Sequence, residues 1–202
     1  MIDTIIFDIG NVLLDFDYMK HFRSLFDEET AQTIADISIR NLAVWQEMDR
    51  GVLSYDEAVE LVIQGAPRLE KEIRLAVKEL YDRVESYPYA TEWVKSLKEK
   101  GYRVYILSNY GEKPFAASKG RMPFLQYMDG RLLSYEIREV KPNAAIYQAL
   151  CDRFHIDPRK AVFIDDSAIN IAGAKAFGLH TVHFTGYADA VAQLTALPLA
   201  YG

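Results

Sequence analysis

Short apolar runs alternate along this chain with stretches of helical period. TIIF (residues 4–7), RVYIL (103–107), AVFI (161–164) and TVHF (181–184) are each bounded by polar residues or Gly/Pro punctuation, which predicts four buried strands. Between them, TEWVKSLKEKG sets Trp93, Val94 and Leu97 on one helical face and closes at Gly101, a C-cap signal just before a strand. NAAIYQALCDRFHI and NIAGAKAFG repeat the helix-then-strand order. Such alternation predicts a parallel sheet covered on both faces.

The rhythm breaks between the first two strands. From about residue 17 to 86 the sequence shows no strand period, only the helical runs YMKHFRSLF, EETAQTIADISIRNLAVWQEMDRG, SYDEAVELVI and RLEKEIRLAVKELYDRV. Ser54 and Glu57 form a capping box for the third of these. The expected fold is α/β: a doubly wound, Rossmann-like parallel core from residues 1–15 and 87–202, with an all-helical cap, residues 16–86, inserted after the first strand.

Composition narrows this by exclusion. A chain of 202 residues suits one domain, or one core carrying an insertion. Half the residues are hydrophobic, enough for an ordered core. With net charge -6 and no Lys/Arg block, no nucleic-acid partner is expected. An anionic substrate then needs a metal or a local lysine to reverse the field at its site. The single Cys151 excludes an intramolecular disulfide and reads as a small core residue on a helix. No apolar run reaches about 18 residues, and no basic segment leads into one at the start. The expectation is a cytoplasmic protein with no membrane partner, a monomer or small homo-oligomer.

In an open parallel sheet, ligands bind at the carboxyl ends of the strands. Asp8 follows the first run, Ser108 and Asn109 the second, and the adjacent pair Asp165-Asp166 the third. Lys141 lies in EVKPNAAIY, where Pro142 is expected in the first turn of the next helix. Adjacent carboxylates repel and call for a cation.

On these motifs the chain resembles the haloacid dehalogenase-like hydrolase superfamily over nearly its whole length. FDIGNVL matches its first motif, ILSN its second, VKPNAAIY its third and FIDDSAINIAGAKAFG its fourth. The resemblance implies Asp8 as nucleophile and Ser108, Asn109 and Lys141 as phosphate-binding groups. It implies Mg²⁺ held by Asp8, the Gly10 carbonyl and Asp166, with Asp165 acting through water. Asn170 matches a recurring polar position of the fourth motif. The implied activity is phosphate ester hydrolysis on a small molecule through an aspartyl-phosphate. The DIGNV start and RGVLSYDEA are similar to bacterial sugar phosphatases acting on glucose 1-phosphate.

One position departs from that pattern. Most phosphatases of the superfamily carry a second aspartate two residues after the nucleophile, which protonates the leaving oxygen and then activates water. Here it is Gly10, which offers a carbonyl but no proton. Asp15, Asp17 and the cap residue Glu47 are candidates to fill in. The alternatives are a metal-independent dehalogenase, which the Asp165-Asp166 pair disfavours, and a catalytically weak or inactive protein that binds phosphate ligands or a partner protein. Phe16, Trp45, Glu47 and Arg50 are expected to line the cap.

Overall fold

The computed structural model describes residues 1–201. The chain opens with β1 (Thr4–Phe7) and a two-residue strand β2 (Leu14–Asp15). Five helices follow: α1 (Tyr18–Leu25), α2 (Glu28–Ile37), α3 (Leu42–Asp49), α4 (Tyr55–Gly65) and α5 (Glu70–Leu80). The short β3 (Glu85–Ser86) then pairs antiparallel with β2. This two-strand ribbon is the neck through which the chain enters and leaves the helical block. The remainder runs α6 (Ala90–Glu99), β4 (Arg103–Ser108), α7 (Glu112–Ser118), β5 (Gly130–Leu133), α8 (Ser134–Ile137), α9 (Ala144–Phe154), β6 (Ala161–Asp165), α10 (Ala168–Phe177), β7 (His180–His183) and α11 (Tyr187–Thr195).

The main sheet is parallel, in the order β5-β4-β1-β6-β7. Side-chain alternation sorts its residues into two cores. Ile5, Phe7, Val104, Ile106, Val162 and Ile164 pack with α6 and α11 on one face. Ile6, Tyr105, Leu107 and Phe163 pack on the other face with Ile146, Tyr147 and Leu150 of α9 and Ala174 of α10. The first core continues into the cap through Phe22, Ile34, Trp45, Met48 and Ile73, so cap and core share apolar packing. Cys151 is buried on α9 and its thiol is pushed up to about 11 by burial, which suits a packing residue.

Four details depart from the sequence pattern. The edge strand β5 (GRLL) escapes it, because four residues carrying Gly130 and Arg131 have no period to read. Residues 85–86 form a strand inside the stretch read as helical. The long second helical run divides into α2 and α3: the Ser38 hydroxyl bonds to the Ile34 carbonyl at 2.5 Å, ending α2, and Asn41 starts α3. Pro142 precedes the N-cap Asn143 instead of lying in the first turn of α9. The capping box is present as read, and Gly101 takes the left-handed backbone (φ 100°) just past α6.

β1 is the central strand. The connection leaving it leads to β4 on one side, and the connection leaving β6 leads to β7 on the other. The crevice therefore opens between the carboxyl ends of β1 and β6. Register places Phe7 beside Ile164, and the Asp8 amide donates to the Ile164 carbonyl at 2.9 Å, so Asp8 and Asp165 end neighbouring strands side by side.

Candidate active site

The first three site elements are strand ends. Asp8, Ser108 and Asp165 are buried, although each follows or ends an apolar strand that needs no polar group for its own packing. Lys141 arrives from the loop before α9 and is also buried. Its ammonium lies 2.8 Å from Asp8 Oδ1 and 2.7 Å from Asp165 Oδ2, bridging the two strands. Burial alone would pull that ammonium down; the carboxylates of Asp165 and Asp8 outweigh it and hold Lys141 well above the ordinary lysine range.

Asn109 anchors this lysine. Its amide donates to the Lys141 carbonyl at 3.1 Å, and its carbonyl accepts from the Lys141 amide at 2.8 Å. With both ends engaged, the Asn109 side chain is a clamp on the lysine loop, where the sequence suggested a phosphate contact. Gly173 lets α10 approach the same loop: a Cβ there would lie 2.7 Å from the Pro142 carbonyl oxygen. Asp165 is equally committed. Beyond Lys141 it accepts from the Ser167 amide at 2.8 Å and from the Asn170 amide group at 3.1 and 3.2 Å. It acts on this geometry as the counter-ion of Lys141 more than as a water-bridged metal ligand. Asn170 thus reaches the site by orienting Asp165.

Asp8 and Asp166 are less fully matched. Asp8 is pushed up to about 6, chiefly by burial and also by Asp165, against the opposing pull of Lys141 and the Ser108 hydroxyl. Its Oδ1 touches the Lys141 ammonium at ion-pair distance but receives no directed hydrogen bond. Asp166 is raised by burial and by Asp165, while Asn11 opposes the shift with a bond of 3.1 Å to its Oδ2. Asn11 makes that contact from left-handed backbone (φ 55°). Oxygens of Asp8, Asp165 and Asp166 all lie within 4.8 Å of one another. An all-oxygen cluster with under-compensated carboxylates fits a hard divalent cation such as Mg²⁺. Gly10 sits beside it. The backbone bonds pinning this turn run from the Asn11 amide to the Leu14 carbonyl and from the Val12, Leu13 and Leu14 amides to the Ile9 carbonyl, and none of these uses the Gly10 carbonyl.

Above the carboxylates lies a cavity of about 120 Å³ lined by Asp8, Gly10, Ser108, Lys141 and Asn170 from the core. Phe16, Trp45, Asp49 and Tyr81 line it from the neck and cap. Phe16 and Trp45 are where the sequence placed them, while Glu47 and Arg50 pair with each other at 3.0 Å and do not line the cavity. Asp15 and Asp17 belong to a different concavity of about 520 Å³, roomier but holding none of Asp8, Ser108 or Lys141. Asp17 caps α1 through the Lys20 amide at 2.8 Å, and Asp15 lies in the neck ribbon opposite Glu85.

The residue that sequence reasoning missed is Asp49, the last of α3. It is only partly buried, yet it is a wall of the cavity. Its carboxyl is pushed up to about 7, mainly by burial and also by Asp8, against the pull of the Gly111 amide and Lys141. The RGVLSYDEA pattern next to it was its only signal.

A family model described as haloacid dehalogenase-like hydrolase matches residues 2–178. D-ribitol-5-phosphate phosphatase of Bacteroides thetaiotaomicron is 27% identical over 207 aligned positions, covering 98% of each chain. (S)-2-haloacid dehalogenase 4A of Burkholderia cepacia is 33% identical over 102 positions, covering 50% of this chain and 44% of that one. Among solved structures, a HAD family enzyme of Bacteroides thetaiotaomicron in complex with magnesium and inorganic phosphate superposes with TM-score 0.71 and 22% identity, covering 90% of this chain and 93% of that one. No helix among the described residues is long and apolar enough to cross a membrane.

Proposed function

Because the chain belongs to the haloacid dehalogenase-like hydrolase family, we propose that it is a Mg²⁺-dependent phosphatase of small phosphorylated metabolites, sugar phosphates first among them. The observation that carries this reading is the carboxylate cluster. Asp8, Asp165 and Asp166 converge with one buried lysine between them, and Asp8 and Asp166 remain raised, chiefly by burial and also by Asp165, against the pull of that lysine. The full-length likeness to a ribitol-phosphate phosphatase supports the substrate class. The core is taken as residues 1–15 and 87–202 and the cap as 16–86. With one unpaired cysteine, the chain suits the reducing cytoplasm.

Asp8, Asp166 and the Gly10 carbonyl would hold Mg²⁺, which offsets the negative charge of the phosphate ester so that a carboxylate can approach it. The Asp8 carboxylate attacks phosphorus in line, and water then hydrolyses the aspartyl-phosphate. Ser108 donates to a phosphoryl oxygen, and Lys141, fixed by Asp165 and Asn109, presents its charge to the same group. Asn11 fixes the rotamer of Asp166. Phe16, Trp45 and Tyr81 close the site and exclude water.

The half-chain likeness to a haloacid dehalogenase keeps metal-free dehalogenation as the second reading. One assay separates the two: phosphate release from sugar phosphates and an aryl phosphate, with Mg²⁺ and with EDTA, beside chloride release from 2-chloropropionate. Phosphate release that stops in EDTA and in Asp8→Asn is the expected result. Chloride release without metal would replace this reading by the dehalogenase.

A further inference from the structure

Gly10 leaves the leaving oxygen without its usual proton donor, and the reason is not conformational. Gly10 is not in left-handed backbone, and a Cβ placed on it meets nothing within 4 Å. The site has room for a side chain there and lacks one. We propose that Asp49 is the acid–base catalytic residue of this enzyme, acting from the cap on the leaving oxygen in the role Gly10 cannot fill. This rests on the phosphatase reading above.

Three observations carry it. The first is place: Asp49 shares the cavity wall with Asp8, Gly10, Ser108 and Lys141, and approaches from the cap, opposite the nucleophile's strand end. The alternatives are spent elsewhere, Asp17 as a helix cap, Asp15 in the neck and Glu47 on Arg50.

The second is fixation. The Ser134 hydroxyl donates to the Asp49 carbonyl at 2.5 Å and accepts from the Tyr110 amide at 2.8 Å. One buried serine of the core thus ties the C-terminus of α3 to the residue just past Ser108-Asn109. A proton donor must be held to within a hydrogen bond of its target, and this clamp fixes the backbone that carries it.

The third is its surroundings. Asp8 and Lys141 face Asp49 from the core, the Gly111 amide and Tyr110 from the segment after β4, and Tyr81 from the end of α5. On its own turn, Glu47 and Arg50 neutralise each other. The balance favours the neutral carboxyl, and the value near 7 lets it give and retake a proton near neutral pH.

The steps balance. In the first, a bond forms between Asp8 and phosphorus while the ester P–O bond breaks, and the Asp49 proton goes to the departing alkoxide. In the second, a water oxygen bonds to phosphorus, the Asp8–phosphorus bond breaks, and a water proton returns to Asp49.

The test is leaving-group dependence, read in kcat/KM with Mg²⁺ present. An alkyl phosphate such as a sugar 6-phosphate needs its leaving oxygen protonated; p-nitrophenyl phosphate does not. Asp49→Asn, an isostere of the neutral carboxyl, should fold like the parent by circular dichroism. It should lower kcat/KM on the alkyl ester by about 10²- to 10⁴-fold and on the aryl ester by less than about tenfold. The alkyl-ester profile of the parent should fall as pH rises through the Asp49 ionisation, and that limb should vanish in the variant. Adding Gly10→Asp to Asp49→Asn should restore much of the alkyl-ester rate. Equal losses on both esters, or no loss on the alkyl ester, overturns the assignment of Asp49 while leaving the phosphatase intact. A parent protein silent on both esters overturns the phosphatase reading and this inference with it.

Discussion

At the level of single residues, the site depends on one buried lysine balancing two carboxylates. Asp165 is fully buried, and among the described residues Lys141 is its one ionic partner. Lys141→Met should therefore lower the unfolding free energy by about 3–5 kcal/mol, the cost of stranding a buried charge, as read from urea denaturation with Mg²⁺ absent. A loss under about 1 kcal/mol would mean that Ser167 and Asn170 alone satisfy Asp165. Asp8, Ser108 and the Asp165-Asp166 pair were legible because each stands at the end of an apolar run, and Lys141 through its place beside Pro142 just before a helical run. Asp49 was not. Its neighbour Glu47 drew attention instead, and residues two apart on a helix point about 200° away from each other. Choosing between them needs the roll of α3 against the sheet, which packing of Trp45 and Met48 sets.

Among the elements, the junction of α3 with the core is the one whose loss would be felt in function. Ser134→Ala removes a donor from the Asp49 carbonyl and an acceptor from the Tyr110 amide, at a serine that is itself fully buried. The expected cost is about 1–3 kcal/mol in stability, with faster hydrogen exchange at the Tyr110 amide and at the end of α3. Unchanged exchange there would show that the junction holds without the hydroxyl. The strands of strong apolar pattern, β1, β4 and β6, were readable, as was the Ser54–Glu57 capping box. β5 and the β2–β3 ribbon were not, since strands of four and two residues draw their stability from the partner they pair with.

For the molecule as a whole, the raised carboxyls give stability a sign with pH. Asp8 near 6 and Asp49 near 7 hold protons in the folded state that their ordinary value of 3.8 would release on unfolding. The folded form therefore binds more protons between about pH 4 and pH 7, and stability falls as pH rises through that range. The exposed Glu28, near 2 when folded, adds stability with rising pH only up to its ordinary 4.5. His21, held below its ordinary 6.5 by burial, opposes the fall up to that pH; one lowered imidazole against two raised carboxyls leaves the net sign a fall. In EDTA, the urea midpoint should drop from about pH 5 to about pH 7.5, and drop less in Asp49→Asn. A midpoint that rises over this range would contradict the burial of these groups. The cavity of about 120 Å³ is smaller than the roughly 300–1,000 Å³ of usual ligand pockets. A substrate larger than its phosphoryl end therefore requires the cap to move on its neck.

The order of apolar runs determined the parallel core, the helical insertion and the four motifs, because a buried strand must be apolar along its length and polar only where it ends. The resemblance those motifs carry implied the acid that is missing at Gly10. What they could not supply is which cap residue faces Gly10 across the cavity. That depends on contacts between α3, Ser134 and the β4 exit, residues some 24 to 85 positions apart, and only the folded chain brings Asp49 over the crevice that Asp8 opens.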